Sequence, residues 1–509
     1  MTDLDTAGSA RLRAAGALDA SLVSLGAGGS LGMREDGTGW SVLAWAPDGE
    51  RWLDGLSGTV TEVGGGRLLI GPADRGNAAA LRASVPWLRP RPVEAGPSIG
   101  LGDRLGVATP GHVAALRATT GIFPVLAQQS ARELARTGRS FGDVLDGATF
   151  GALATGWSGG FGADADHLKT AEHLDEALAA GFSQVTVDPI DLVPDVPADA
   201  PAAVIEGAFG QVPWRDLEDD PASFAERYPA ALDLDSGRLV LPPHGLRAAA
   251  ARFGPAVVHI VRMSRHLSER VGDRMVGLEV AVDELGHRTT HVDHVYLATE
   301  LHRLGVRWGS LAPCFVGRFE KGVEYIGDTT EFERDLATHA AIARALGPYK
   351  ISIHSGSDKY SIYPAAQRVT GGSFHLKTSG TSYLTLLATL SQGEPELLRD
   401  VWRVALETYG AARASYWVSA GVERMPRADD LSTADLAGLL VEPGAREILH
   451  VTYGAILGPP PAGGLRDRVL RAAWEQRETY WAGLAEHLGR HLRPLMPRPH
   501  PGQCPEDGG

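Results

Sequence analysis

From about Gly100 onward the chain alternates short apolar runs with longer stretches of helical periodicity, and this alternation limits the folds open to it. Phe182 to Asp188 (FSQVTVD), Ala256 to Met263 (AVVHIVRM), Gly277 to Glu284 (GLEVAVDE), Tyr349 to Ser355 (YKISIHS) and Ser373 to Gly380 (SFHLKTSG) read as strands. Between them lie helices. TTEFERDLATHAAIARAL sets Phe332, Leu336, Ala340, Ala343 and Leu346 on one helical face. Strands alternating with helices imply an α/β fold with a largely parallel sheet. The number and size of the units favour a closed (β/α)8 TIM-like barrel over an open doubly wound sheet. The expected organisation is a β-rich, Gly-rich segment at 1–95, a barrel-type catalytic domain at 96–495 that becomes mainly helical from about Thr385, and a disordered Pro-rich tail at 496–509.

Bulk properties exclude several roles. The formal charge is −14, so no net field draws phosphate, and neither nucleic acid nor an anionic membrane is an expected partner. Two cysteines, Cys314 and Cys504, are too few for a disulfide framework or a thiolate zinc site and suit a reducing cytoplasm. No signal peptide is read at the N-terminus, and no apolar window approaches a bilayer span. Cytoplasmic placement is the expectation. The glycines of SLGAGGSLGM follow no long strand and open no clear helix, which argues against a phosphate loop there.

Four stretches put metal-binding or charged side chains where barrel strands should end, the end that carries chemistry in such folds. GADADHLKT carries Asp166, His167 and Lys169 ahead of an expected helix, so an acidic helix cap and a functional acid are both open readings. In GLEVAVDE, Glu279, Ala281 and Asp283 share one strand face. A carboxylate in mid-strand among apolar residues must be paired or metal-bound, whereas Asp283 and Glu284 could equally cap the next turn. In KISIHSGSDKY, His354 ends a strand, Ser355, Gly356 and Ser357 could form an anion nest, and Asp358 and Lys359 follow. SFHLKTSG sets His375 and Lys377 on alternate positions, then Thr378, Ser379 and Gly380 open a helix. FEKGVEYIGD adds Glu320, Lys321 and Asp328, either closing the site or lying solvated at the surface. His291 and His294 lack His-Glu-x-x-His spacing, and His339 falls on a helix.

Taken together, His167, His354 and His375 are candidate ligands of a divalent metal (Zn, Mn, Fe or Ni), with Asp166 and Glu279 as catalytic carboxylates. Lys169, Glu320, Lys321, Ser355, Ser357, Asp358, Lys359, Lys377 and Thr378 are candidate contacts for a small, hydroxylated, anionic substrate.

At YKISIHSGSDKYSIYP, HLKTSGTSYL, DADHLKT and FEKGVEYIGD the chain resembles the tagaturonate epimerase family, over about Thr120 to Tyr409. It departs from that pattern at Cys314, where a basic residue is expected, and at Ser379 and Thr385, where Ala and an acid are expected. The resemblance implies interconversion of D-tagaturonate and D-fructuronate, with the metal on the ketone and the lysines on the carboxylate. The epimerised carbon is not acidified by the ketone, so retro-aldol opening and re-addition is the expected route, with Asp166 and Glu279 as base and acid in either order. Another metal-dependent ketose or sugar-acid isomerase, a class II-type aldolase and a non-catalytic sugar-acid-binding protein are the competing readings. The oligomeric state is open.

Overall fold

The structure is a computed structural model that describes residues 7–37, 39–459 and 464–496. Eight strands close a parallel barrel. They are Ser98–Gly102 (β1), Phe123–Ser130 (β2), Gly162–Leu168 (β3), Gln184–Val187 (β4), Gly277–Val282 (β5), Ser310–Pro313 (β6), Lys350–Ile353 (β7) and Phe374–Thr378 (β8). Each strand pairs with its neighbours in sequence, and β8 pairs with β1 to close the ring. The (β/α)8 architecture read from the alternation is therefore the one observed.

Every strand is buried on both faces, as a barrel wrapped by helices requires. On β5 the alternation divides the labour. Leu278, Val280 and Val282 are buried apolar residues, while Glu279 bonds across the lumen.

One expected strand is a helix. Ala256 to Met263 lies inside the 29-residue helix Pro243–Val271. Phe253, Ala256, Val257, Ile260 and Val261 are all buried, at helical spacing of three and four, so the period of the longer segment overrides its β-branched composition.

Ahead of the barrel, five short antiparallel strands between Val23 and Pro72 form a separate sheet. Trp40 on this sheet stacks on Trp481 and meets Trp474 edge-on, and Glu35 pairs with Arg477, so the sheet docks on the C-terminal helices. Those helices also reach the ends of the barrel strands. The Arg104 guanidinium donates to the His450 carbonyl, Arg132 to the Ser415 carbonyl and Arg446 to Asp358. Among the described residues no helix is long and apolar enough to cross a membrane. The expected tail, Met496 apart, and Cys504 lie outside the described residues.

Candidate active site

Lys377, projecting from β8 into the lumen, is the centre of the site. Its Nζ lies 2.8 Å from Asp164 Oδ2, 2.6 Å from Asp166 Oδ1, 2.7 Å from Glu279 Oε1 and 2.8 Å from Thr186 Oγ1. Strand period explains the set: Asp164 and Asp166 are two apart on β3, and Thr186 pairs in register with Glu279. Burial works against every charge here. The three carboxylates outweigh it for Lys377, whose ammonium is held well above its usual range. Burial also pushes Asp166 and Glu279 toward neutrality, but the ammonium wins and both sit well below the usual carboxylate range. For Asp164 burial wins, and its pKa is raised.

Two histidines stand above this centre, with rings 5.0 Å apart and edge to face. His354 Nε2 is 2.7 Å from Glu279 Oε1, and His167 Nδ1 is 3.0 Å from Asp188 Oδ2. Each carboxylate takes one N–H and fixes the tautomer, which leaves a lone pair on His354 Nδ1 and on His167 Nε2. His354 Nδ1 and Asp283 Oδ1 are 2.9 Å apart, yet neither has a hydrogen-bond partner of proper geometry. The two atoms are close enough for an ion pair, and both are also available to a cation. His167 Nε2 is 3.8 Å from Asp166 Oδ1, and one donor atom each from Asp166, His167 and His354 falls within 4.8 Å of the others. With no cation there, burial favours neutral rings, but the Asp166 charge and the Asp188 bond hold His167 up to about 10. Burial opposes charge on His354 too, and Asp283 leads the groups that hold it up to about 9. The site calls for positive charge, and its donor set fits a divalent cation of the zinc or manganese kind.

Above the histidines a polar pocket is lined by Arg104, Gln128, Ser130, Arg132, Glu133, Asp166, His167, Lys321, His354, Ser355, Lys377, Ser379 and Tyr416. At Lys321, His354, Ser355 and Tyr416 it joins a larger cavity of about 930 Å³ that runs beneath residues 413–418. Arg132 pairs with Glu284 and Arg104 with Glu133, so both guanidiniums are fixed in place at the pocket wall. His167, Ser355 and Asp358 have φ of 52°, 49° and 60°, a left-handed backbone that costs a non-glycine residue energy and gathers at functional turns.

The expected residues separate into groups. Asp166, His167, His354, Lys321, Ser355 and Lys377 meet at the pocket. Glu279 does not reach its wall. It is fully buried beneath, held by Lys377, His354 and Ser310. His375 lies one layer deeper on β8, its Nδ1 against Ser98 Oγ at 2.9 Å, and burial pushes it down to about 3, so it does not join the other two histidines. Lys169 points outward to Asp191 and is 40% exposed. The turn after β7 is not an open anion nest, because the Gly356 N–H is spent on the Lys377 carbonyl and the Asp358 N–H on His491. Asp358 is held by His487, Arg446 and Tyr360. Lys359 is buried among the carbonyls of Glu320, Val323 and Ser357. Ser357 accepts from Thr381, and Thr378 donates to the Gly100 carbonyl. Glu320 borders the larger cavity but is bound to Ser419, and Asp328 caps a helix. The helix cap after β3 is Thr170, so Asp166 is free of that duty. Cys314 also borders the larger cavity, and burial pushes its thiol up to about 12.

Asp164 and Asp188 were not anticipated, although the Asp-x-Asp alternation of GADADHL carries the signal for Asp164 once the segment is a strand. Arg104, Gln128, Ser130, Arg132, Glu133 and Tyr416 carry none. Gln128 and Ser130 sit at the end of β2, and the others come from loops and a helix that only the closed barrel brings to them.

The model of a family described as tagaturonate epimerase matches residues 54–495. The chain belongs to the tagaturonate epimerase family. It is thus an isomerase of the epimerase type, and the match extends beyond Thr120 to Tyr409 into the N-terminal sheet. A tagaturonate/fructuronate epimerase from Thermotoga maritima is 39% identical over 416 residues, 82% of this chain and 84% of that protein. Crystal structures of a fructuronate-tagaturonate epimerase from Cohnella laeviribosi are 32% identical. A form with two glycerol molecules bound superposes with a TM-score of 0.88 over 96% of this chain and 99% of that one. The native form gives 0.87 over the same shares.

Proposed function

We propose that this chain interconverts D-tagaturonate and D-fructuronate in the cytoplasm, with a divalent cation held between His167 and His354. The observation that carries the reading is the pair of imidazoles bonded to Asp188 and Glu279, each of which brings a donor atom within 4.8 Å of an Asp166 oxygen at the barrel mouth. Family membership supplies the substrate pair. Asp283 is a further candidate ligand through Oδ1.

When bound, the cation supplies positive charge for the ketone oxygen and the neighbouring hydroxyl of the substrate. Lys321, Ser355 and Arg132 orient the acidic end of the sugar. Asp166, the carboxylate on the pocket wall, takes the proton from the hydroxyl of the carbon to be inverted. The carbon–carbon bond toward the ketone then opens, and its electron pair passes into an enediolate fragment as the hydroxyl carbon becomes an aldehyde. The aldehyde turns its other face, the bond re-forms, and the proton returns from Asp166. Lys377 keeps Asp166 ionised between turnovers. Glu279 acts as a positioning residue through His354 and Lys377.

The test is an NMR assay of D-fructuronate with and without chelator, in deuterated water. Chelator-sensitive appearance of tagaturonate with no deuterium at the inverted carbon is expected. Deuterium at that carbon would replace carbon–carbon cleavage by deprotonation, and turnover indifferent to chelator would remove the cation.

A further inference from the structure

A second group of ligand-type side chains lies behind the loop that follows β6. His291 opens the helix His291–Arg303, and Asp335 and His339 stand one turn apart on the helix Thr329–Leu346. One donor atom of each lies within 4.8 Å of the others. His291 Nε2 is 3.0 Å from Asp335 Oδ1, and His339 Nε2 is 3.8 Å from the same oxygen. Ligands about 2.0–2.1 Å from a tetrahedral zinc ion stand about 3.3–3.4 Å apart, so the two separations straddle the requirement.

The decisive atom is His339 Nε2, which is fully buried and has no hydrogen-bond partner. The Thr289 backbone faces the same ring, and Arg288 is the nearby charge opposed to a cation. A hydrogen-bonded network without a cation accounts for the contact of His291 with Asp335, but it gives His339 Nε2 no hydrogen bond of proper geometry.

The other side of the ring leads to two further partners. His339 Nδ1 is 2.9 Å from His294 Nδ1, and His294 Nε2 is 2.8 Å from the Tyr349 hydroxyl. Both contacts can run in either direction; the run from His339 to His294 to Tyr349 leaves His339 Nε2 as a lone pair, which is how a second partner prepares an imidazole for a metal. Asp335 is prepared likewise, since its Oδ2 already accepts from the Val316 N–H and its Oδ1 faces the two histidines.

We propose that His291, Asp335 and His339 form a second divalent-cation site, of the zinc kind, distinct from the barrel mouth. It would tie the start of one helix to the middle of the next. Through Asp335 and Val316 it would also brace the Cys314 to Val316 wall of the substrate cavity.

The test strips the full-length chain with chelator, reloads it with Co²⁺ alone, and reads cobalt per chain together with the visible absorption of tetrahedral cobalt. His291→Gln, at a 30% exposed position that tolerates change, and Asp335→Asn are each expected to lose one equivalent and a tetrahedral band. His354→Gln should keep that equivalent and that band. A band that survives His354→Gln and disappears in His291→Gln supports the second site whether or not the barrel mouth takes a cation. His291→Gln and Asp335→Asn chains that both bind as much cobalt as the parent, with an unchanged spectrum, would overturn it.

Discussion

Lys377 is the residue on which fold and chemistry meet. It neutralises part of a carboxylate cluster that would otherwise repel itself inside the barrel. Removing one partner of a buried ionic group leaves uncompensated charge, so Lys377→Met should destabilise the fold by roughly 3–5 kcal/mol, read as a lower urea midpoint. An unchanged midpoint would mean the carboxylates are already neutral in the fold. Asp188 tests the opposite kind of role. It touches the proposed cation only through His167, so Asp188→Asn should fold normally but weaken cation affinity by about 10–100-fold. Competition with a chromophoric chelator measures this, and an unaltered affinity would take His167 out of the ligand set.

Among the elements, the strands at Gln184, Gly277, Lys350 and Phe374 were legible because short apolar runs ended in polar turns. The helix Pro243–Val271 was not, because a window of eight residues rich in Val and Ile hides a period that only 29 residues reveal. His167 and His354 were legible as strand-end histidines. Whether His375 joined them depended on its layer in the barrel, which strand position alone does not give. The stretch 413–420, over the larger cavity, falls in the region that the sequence marks as mainly helical from about Thr385. It is clasped by two acids: Glu320 accepts from Ser419, and Glu447 accepts from the Ala420 N–H. Burial and the adjacent Glu320 push Glu447 up to about 8 from its ordinary 4.5. The folded chain therefore binds a proton there that the unfolded chain has lost, so this part of the stability is full below pH 4.5 and is lost as pH rises through about 8. Glu447→Gln keeps a donor for Glu320 at every pH. Melting temperatures taken from about pH 5 to about pH 9 should fall in the parent and stay flatter in the variant. Parallel curves would show that the two acids share no proton.

For the whole molecule, the barrel places the reacting groups, and the parts added before and after it hold the barrel's mouth in shape. Among the described residues the N-terminal sheet supplies none of the pocket lining, and it meets the helices Arg466–Glu475 and Arg477–Leu492 through Trp40 and Glu35. The second of those helices carries His487 and His491, which hold Asp358 in the turn beyond His354. A path of packed contacts thus runs from the sheet to the turn that follows His354. If the sheet only adds stability, Trp40→Ala should cost about 2–3 kcal/mol, less than a fully buried Trp→Ala because Trp40 is only partly buried, and should leave KM and cation affinity as they were. The packing argues for more than that. Loosening Arg477–Leu492 frees Asp358, whose left-handed backbone depends on its partners. Trp40→Ala is therefore expected to lower both the melting temperature and the cation affinity, whereas Glu35→Gln, which removes only a partly exposed ion pair, should change neither by much. Cobalt titration of the two variants at a temperature where both are folded separates the possibilities. A Trp40→Ala chain with parental cobalt affinity would confine the sheet to a purely stabilising role.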